Sequence, residues 1–270
     1  MTVVASCQFA PDLGEVKANI ARGLTLIETA SNRGARVVVL PELATSGYVF
    51  EDAAEACAAS VVADGPELEP WRQAADRMGV VVVAGFCEAN GGDRPYNSSV
   101  VLVPRAAPVV YRKAHLWDRE RLIFFAGDAR PPIVDTPVGR ISTIICYDLE
   151  FPEWVRLPAL GGAELICAPV NWPAGVRPDG ERPAEVIRVQ AEASMNRVAI
   201  AVCDRTGVER GVQWTSSSVI VDADGWPRAL ANPAEAGETI LLAEIDLAAS
   251  RNKRVAEYSD VFGDRRPELY

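Results

Sequence analysis

Runs of apolar, often β-branched residues alternate along this chain with stretches whose apolar positions recur at helical spacing. Residues 2–9 (TVVASCQF) read as a strand, and 15–31 (EVKANIARGLTLIETAS) as an amphipathic helix. Near 36–43, ARVVVLPEL is a strand apolar on both faces. A helix at 67–78 (ELEPWRQAADRM) leads into the strand GVVVVAGFCEA. The strands NSSVVLV and PVVYRKAH, joined by the short turn PRAA, predict a hairpin. Further on, RISTIICYD reads as a strand, PEWVRLPALGG as a helix and AELICAPVNW as a strand. A helix at about 183–197 precedes the strand RVAIAVCDR. The strands SSSVIVDADG and ETILLAEIDL follow, and DRRPELY ends the chain as a charged tail.

The order is βαβαβ, a hairpin, then βαβα and more β. It implies an α/β fold with a mixed sheet system and helices on the outside. No linker, repeat or low-complexity stretch divides the chain, so residues 1–270 read as one domain. The Pro- and Gly-rich segments 126–139 and 172–183 read as long functional loops.

With 49% apolar and 24% charged residues, the composition is that of an ordinary globular protein with a sizeable core. A formal net charge of −10 argues against a nucleic-acid-binding face and against docking on anionic lipid. No apolar run approaches the roughly 20 residues that span a bilayer. The opening MTVVASCQFAPD lacks a basic segment and turns polar early, unlike a secretion signal, which leads to an expectation of a cytoplasmic protein.

None of Cys7, Cys57, Cys87, Cys146, Cys167 and Cys203 falls in a CxxC pair, so zinc-ribbon and thioredoxin readings fail. Most lie in apolar stretches and read as reduced, buried thiols. The single histidine, His115, rules out a His-rich metal site, and any Ser-His-Asp or Cys-His catalysis would have to use it. No GxGxxG follows a strand, which excludes a dinucleotide-binding enzyme.

Three positions carry candidate chemistry. Cys146 ends the apolar run RISTII just before FPEWVR opens a helix, with Pro152 near its first turn. A nucleophile at such an elbow is exposed at the sheet's end, beside backbone N–H groups that can stabilise an oxyanion. The competing reading is one more core cysteine; Tyr147, Asp148 and Glu150 directly after it favour the elbow. Glu42 follows the buried-looking VVVLP, where desolvation would raise a carboxylate pKa toward that of a general base. It could instead turn to solvent as the strand ends. Lys113, in VVYRKAHLW, can stabilise a thiolate or a developing oxyanion, or simply face solvent.

In the order PEL, YRKAHLW, ICYDLEFPE, these motifs resemble the Glu–Lys–Cys motifs of the nitrilase-like carbon–nitrogen hydrolase superfamily. The resemblance extends over nearly the whole chain, through QFAPDLGEVKANIARG, GARVVVLPELATSGY, YNSSVVL and NRVAIAVCDRTGVERG, and the tail DRRPELY looks like its amidase-type members. It implies an α-β-β-α sandwich assembled as a homodimer or higher homo-oligomer. Glu42 would be the general base, Cys146 the nucleophile and Lys113 the stabiliser of the tetrahedral intermediate, with the Tyr147 N–H as oxyanion partner. A thioester would form and be hydrolysed, with neither metal nor organic cofactor.

Glu120, in DRERLIFFAGD, resembles the superfamily's additional active-site glutamate, although its arginine neighbours also suit a surface helix. His115 reads as a structural hydrogen-bonding residue near the site; if the strand continued, alternation would put it on the face of Lys113. Cys-Tyr-Asp after the strand resembles amidases and carbamoylases, whereas nitrilases of the superfamily carry Trp-Glu after the nucleophile and are longer. Many ω-amidase-like members have arginine where this chain has Glu150, so an acidic substrate is expected to be repelled. The expected substrate is a small neutral or amine-bearing amide, with a carbamoyl or ω-amide substrate as the alternative. Tyr48, Trp117 and Trp172 are candidate pocket walls, or else core aromatics. Two rival classes remain. A non-catalytic binding protein on this fold is disfavoured by the intact Glu–Lys–Cys set. A redox thiol enzyme is disfavoured because no resolving cysteine lies close to Cys146 in sequence.

Overall fold

The computed structural model describes residues 1–232 and 237–269. Strands β1 (Thr2–Gln8), β2 (Val37–Val39) and β3 (Val81–Glu88) run parallel, with Val4 opposite Val37 and Val37 opposite Val81. The expected hairpin, β4 (Tyr96–Leu102) and β5 (Val109–Arg112), continues this sheet antiparallel. The second sheet repeats the plan. Strand β6 (Ile133–Thr136) pairs antiparallel with β7 (Gly139–Thr143), which runs parallel to β8 (Leu165–Pro169) and β9 (Ala199–Cys203).

A two-residue-per-strand hairpin, β10 (Val208–Glu209) with β11 (Val212–Gln213), projects after β9. Then β12 (Val219–Val221) and β13 (Pro227–Leu230) close the second sheet, and β14 (Thr239–Ile245) returns to pair antiparallel with β1. The two sheets have six strands each, ordered β14-β1-β2-β3-β4-β5 and β13-β12-β9-β8-β7-β6.

The layering follows from the alternation of side chains along a strand. Val37 and Val39 of β2 pack between the sheets against residues such as Ile141, Leu165 and Ala199, while Val38 joins the outer layer. That outer layer is covered by α1 (Val16–Asn32) and α3 (Glu69–Met78), with α2 (Ala53–Ala58) between them in sequence. Ile20, Gly23, Ile27 and Ala30 of α1 are buried at helical spacing. Gly23 is required there: a Cβ would come within 2.7 Å of the Trp71 ring. After the one-turn helix α4 (Glu120–Ile123), α5 (Pro152–Leu160) and α6 (Ala184–Asn196) cover the second sheet. The result is the expected α-β-β-α sandwich.

The differences from the sequence expectations are local. The segment 126–139 contains the edge strand β6 and is not a plain loop. RISTIICYD does not stay extended to Asp148: β7 ends at Thr143, because the Asp148 carboxylate accepts the Ile145 N–H at 3.0 Å and turns the chain into a 3₁₀ helix over Cys146–Glu150. Helix α2, the hairpin β10–β11 and strand β13 had no expected counterpart, and α4 forms where the neighbours of Glu120 suited a helix, but with Glu120 itself buried. The segment 172–183 is loop, apart from a bridge between Pro173 and Trp214. Tyr270, the last residue of the expected tail, lies outside the described residues. Among those described, no helix is long and apolar enough to cross a membrane.

Candidate active site

Glu42, Lys113, Cys146 and Asn171 each lie within three residues of the C-terminal end of a strand: β2, β5, β7 and β8 respectively. Their strands belong to both sheets, so the sandwich itself brings the side chains together. Strand ends that leave their last backbone groups unpaired are where open α/β sheets hold ligands. Gly85 makes the approach possible on one side, since a Cβ there would lie 2.5 Å from the Glu42 Cα.

The Lys113 Nζ donates to Glu42 Oε1 at 2.7 Å and to Glu120 Oε1 at 2.8 Å. Asn97, on β4, donates through Nδ2 to the same two oxygens at 2.7 and 3.0 Å. Glu42 and Lys113 are fully buried, and Glu120 and Cys146 are 3% and 8% exposed. Glu120 Oε2 accepts the Trp117 N–H at 2.7 Å, and the Tyr48 hydroxyl is a hydrogen-bonding neighbour of the same carboxylate. Glu42 Oε2, by contrast, is buried without a hydrogen-bond partner. An unpaired carboxylate oxygen in a dry site is costly, and it is the free acceptor of the cluster.

The charges follow from this packing. Burial raises the Glu42 carboxyl to about 7; the Lys113 ammonium opposes the rise and Glu120 reinforces it. Burial pulls Lys113 down, but the Glu120 and Glu42 carboxylates outweigh it and hold the amine above its usual value. Burial, with Glu42 next, holds the Cys146 thiol well above the ordinary range despite Lys113 and the Asn171 carbonyl. At neutral pH the resting arrangement is a thiol beside a buried carboxylate poised to titrate.

Cys146 has φ of +45°, in the left-handed region that non-glycine residues rarely occupy. Strain of that kind costs on the order of 1–3 kcal/mol and is kept where surrounding bonds over-determine it. Here they do. Asp148 is fully buried and accepts from the Tyr111 hydroxyl at 2.7 Å, the Ile145 N–H, and the His115 N–H at 3.1 Å. The His115 ring bonds Asp148 through Nδ1 at 2.7 Å and stacks on Phe151 with centroids 3.9 Å apart. Strand β5 ends at Arg112, so alternation does not carry His115 into the Lys113 cluster; it braces the elbow.

Asn171 ties the two halves. Its Nδ2 donates to the Glu42 carbonyl at 3.0 Å, and its own carbonyl lies 3.7 Å from the Cys146 Sγ, which donates to it. Neither Asn171 nor Asn97 was singled out from the sequence. The signal was there: a polar amide inside or just after a strand that is otherwise buried.

A cavity of about 210 Å³ opens over Cys146, walled in part by Trp117, Tyr147, Glu150 and Trp172. A second, of about 200 Å³, is apolar and is walled by Tyr48, Phe50, Trp117, Glu120, Phe124 and Trp214. All four tentative substrate-binding positions therefore border the site, in different ways. Trp117 is 40% exposed at the mouth, whereas Trp172 is 4% exposed and belongs chiefly to the core. Glu150 borders the Cys146 cavity but is not a bare anion: Arg188 of α6 pairs with it at 2.6 Å. The repulsion expected from Glu150 alone is therefore offset at close range. Among the described residues, no group of three or more His, Cys, Asp or Glu side chains is placed to hold a metal ion.

A sequence profile of the carbon–nitrogen hydrolase family matches residues 3–255. The chain belongs to that family. It is 37% identical over 271 residues to a nitrilase of Pyrococcus abyssi (strain GE5 / Orsay), covering 100% of this chain and 99% of the relative. It is 30% identical over 271 residues to 2-oxoglutaramate amidase of Bacillus subtilis (strain 168), covering 99% and 98%. Among solved structures, a mutant amidase from Nesterenkonia sp. AN1 superposes with a TM-score of 0.83 at 24% identity, covering 100% of this chain and 98% of that one. That structure captures Michael addition of acrylamide at the active-site cysteine. The fold is thus that of the nitrilase superfamily's amidases, and the chain is a hydrolase of carbon–nitrogen bonds other than peptide bonds.

Proposed function

We propose that this hydrolase cleaves a small non-peptide amide, neutral or amine-bearing, to a carboxylate and ammonia or an amine through a thioester on Cys146. The observation that carries the reading is Glu42 Oε2, a buried carboxylate oxygen without a partner, in a site that also holds a buried thiol and a doubly paired ammonium.

The chemistry then runs in two halves. Glu42 takes the Cys146 proton, and the thiolate attacks the amide carbon. Negative charge gathers on the carbonyl oxygen, stabilised by the Lys113 ammonium and the Tyr147 N–H. Protonated Glu42 gives its proton to the departing nitrogen, the C–N bond breaks and a thioester remains. In the second half Glu42 removes a proton from water, whose oxygen attacks the thioester carbon. The C–S bond breaks, the thiol regains the proton and the carboxylate leaves. Glu120 and Asn97 hold Lys113 and Glu42 in register throughout. With four donors around it, Glu120 acts mainly on Lys113, and its reach to the substrate amide is secondary.

The size of the cavity over Cys146, about 210 Å³, suits a small substrate. Glu150 and Glu185 both border it; Arg188 offsets Glu150, and the second carboxylate, Glu185, supports a neutral or amine-bearing substituent over an acidic one. The 2-oxoglutaramate amidase relative keeps an ω-amide, and the N-carbamoylputrescine amidase relative of Arabidopsis thaliana a carbamoyl compound, as the second reading. Ammonia release measured across neutral, cationic, acidic and carbamoyl amides tests the proposal. Release from none of them by the wild type would overturn it.

A further inference from the structure

Away from the reacting atoms, the β10–β11 hairpin sends one carboxylate into the body of the site. Glu209 Oε1 accepts the backbone N–H groups of Tyr48 at 2.8 Å and Val49 at 2.6 Å. Its other oxygen lies 2.9 Å from Arg205 Nη1. Glu209 is 7% and Arg205 1% exposed, so the pair is held out of water. Such a pair contributes little net stability against an apolar replacement, which makes it weak evidence for a purely stabilising role. Its geometry is specific, however. Arg205 donates to the Pro11 carbonyl at 3.2 Å, and its guanidinium carbon sits 4.8 Å from the centre of the Trp214 ring. Trp214 in turn meets Tyr48 edge-on, with ring centroids 5.4 Å apart.

Room for this contact depends on Gly47, whose φ is +75° and where a Cβ would lie 2.7 Å from Glu209 Oε2. The clamp therefore closes on the backbone of Tyr48 and on one face of its ring. Tyr48 and Glu120 wall the same apolar cavity, with the Tyr48 hydroxyl beside the carboxylate, and Glu120 holds Lys113. The mechanism above does not use Glu209, Arg205 or Trp214.

We propose that Glu209 is a positioning residue for turnover: by fixing the Tyr48–Val49 backbone it holds the Tyr48 hydroxyl on Glu120, and through Glu120 it sets the place of Lys113. The inference rests on the reading of the site as a cysteine amide hydrolase. Burial, with Glu120, Glu42 and Cys146 adding to it, keeps Tyr48 protonated and thus a donor.

A double-mutant cycle tests it, using Glu209→Ala, Tyr48→Phe and the pair, with kcat and KM read on one amide and folding checked by circular dichroism. Glu209→Ala is expected to lower kcat about tenfold or more, since small displacements of catalytic groups are costly. KM should stay within about threefold, because neither Glu209 nor Tyr48 walls the cavity over Cys146. Tyr48→Phe should lower kcat in the same direction, and the double variant should be no worse than the lower single one within about twofold. Glu209→Gln, which keeps an acceptor for the two N–H groups, should recover part of the loss. Wild-type kcat in folded Glu209→Ala, or additive losses in the double variant, overturns the proposal. If the alanine variant does not fold, the same cycle run with Glu209→Leu, which fills similar space and accepts no hydrogen bond, decides on the same criteria. Failure of the underlying reading is seen separately, as wild-type protein that hydrolyses no amide or is indifferent to loss of Cys146.

Discussion

Lys113 Nζ lies 2.7 Å from Glu42 Oε1, with both side chains fully shut off from solvent. A lone pair of this kind would barely offset its desolvation. The second carboxylate also accepts from the ammonium, and the Asn97 amide donates to the Glu42 oxygen that Lys113 holds, which leaves Glu42 with one occupied and one free oxygen. Several measurable consequences follow from that asymmetry.

The first is a pH profile. Cys146 keeps its proton well past neutrality, so the reactive form is the one in which Glu42 has lost its own. The Glu42 carboxyl, raised by burial to about 7, must be ionised to accept the thiol proton. Activity is thus present above that value and falls as pH drops through it. In kcat/KM the acid limb should bend near pH 7, reporting an apparent value for the coupled cluster. A limb bending near the ordinary glutamate value, about 4.3, would remove Glu42 from the role of base.

Glu42→Gln should retain the hydrogen bonds to Lys113 and Asn97 through its amide oxygen while losing the base. Its kcat should drop by at least about 10²-fold with the circular dichroism spectrum unchanged. Wild-type kcat in this variant would contradict the mechanism.

Lys113→Ala should lose at least about 10²-fold in kcat by removing an oxyanion partner. It should also become unstable in a pH-dependent way. Without the ammonium, which holds Glu42 down, burial and Glu120 push the carboxyl pKa further up. A raised folded-state carboxyl leaves stability intact below the unfolded value and erodes it as pH rises toward the folded one. The Tm deficit relative to wild type should therefore be small at pH 4 and large at pH 8. A deficit of the same size at both would show that the carboxylates are not held by Lys113.

At the cavity rim, Glu150 and Arg188 make opposite predictions for opposite substrates. Glu150→Arg should raise kcat/KM for an acidic amide relative to a neutral one of equal length by at least about tenfold, the worth of roughly 1.4 kcal/mol. Arg188→Ala uncovers the Glu150 carboxylate and should move the ratio of amine-bearing to acidic amide upward. Ratios unchanged within about twofold in both stable variants would place the pair outside the substrate's reach.

What could be read in the chain before its structure depended on where each partner lies. The run VVVL before Pro41 and the run RISTII before Cys146 mark buried strands, and a polar residue just after such a run stands out. Glu42 and Cys146 stood out for that reason and Lys113 by its place in YRKAHLW, and only the order of the three motifs joined them into one site. Asn97 was not legible, because its partners Glu42 and Glu120 lie 55 and 23 residues away in the chain. Asn171 and Glu209 were not, because their partners, Glu42 on the other sheet and the Tyr48 backbone, lie more than a hundred residues away. Strand β6 was hidden behind Pro131 and Pro132 and is a short edge strand, whose outward residues carry no apolar alternation. Glu150 was legible as an anion beside the nucleophile, but its partner Arg188 was not, since that residue sits on a separate helix.

The most direct test of the central claim is the covalent intermediate itself. Wild-type protein and Cys146→Ala would be mixed with a turned-over amide, quenched in acid within the first turnovers and measured by intact mass and peptide mapping, with ammonia followed in parallel. The wild type should carry the acyl mass on the peptide containing Cys146, and the alanine variant should carry none and release ammonia at the background rate. Acylation mapped to another residue, or ammonia released by Cys146→Ala at the wild-type rate, would contradict the account.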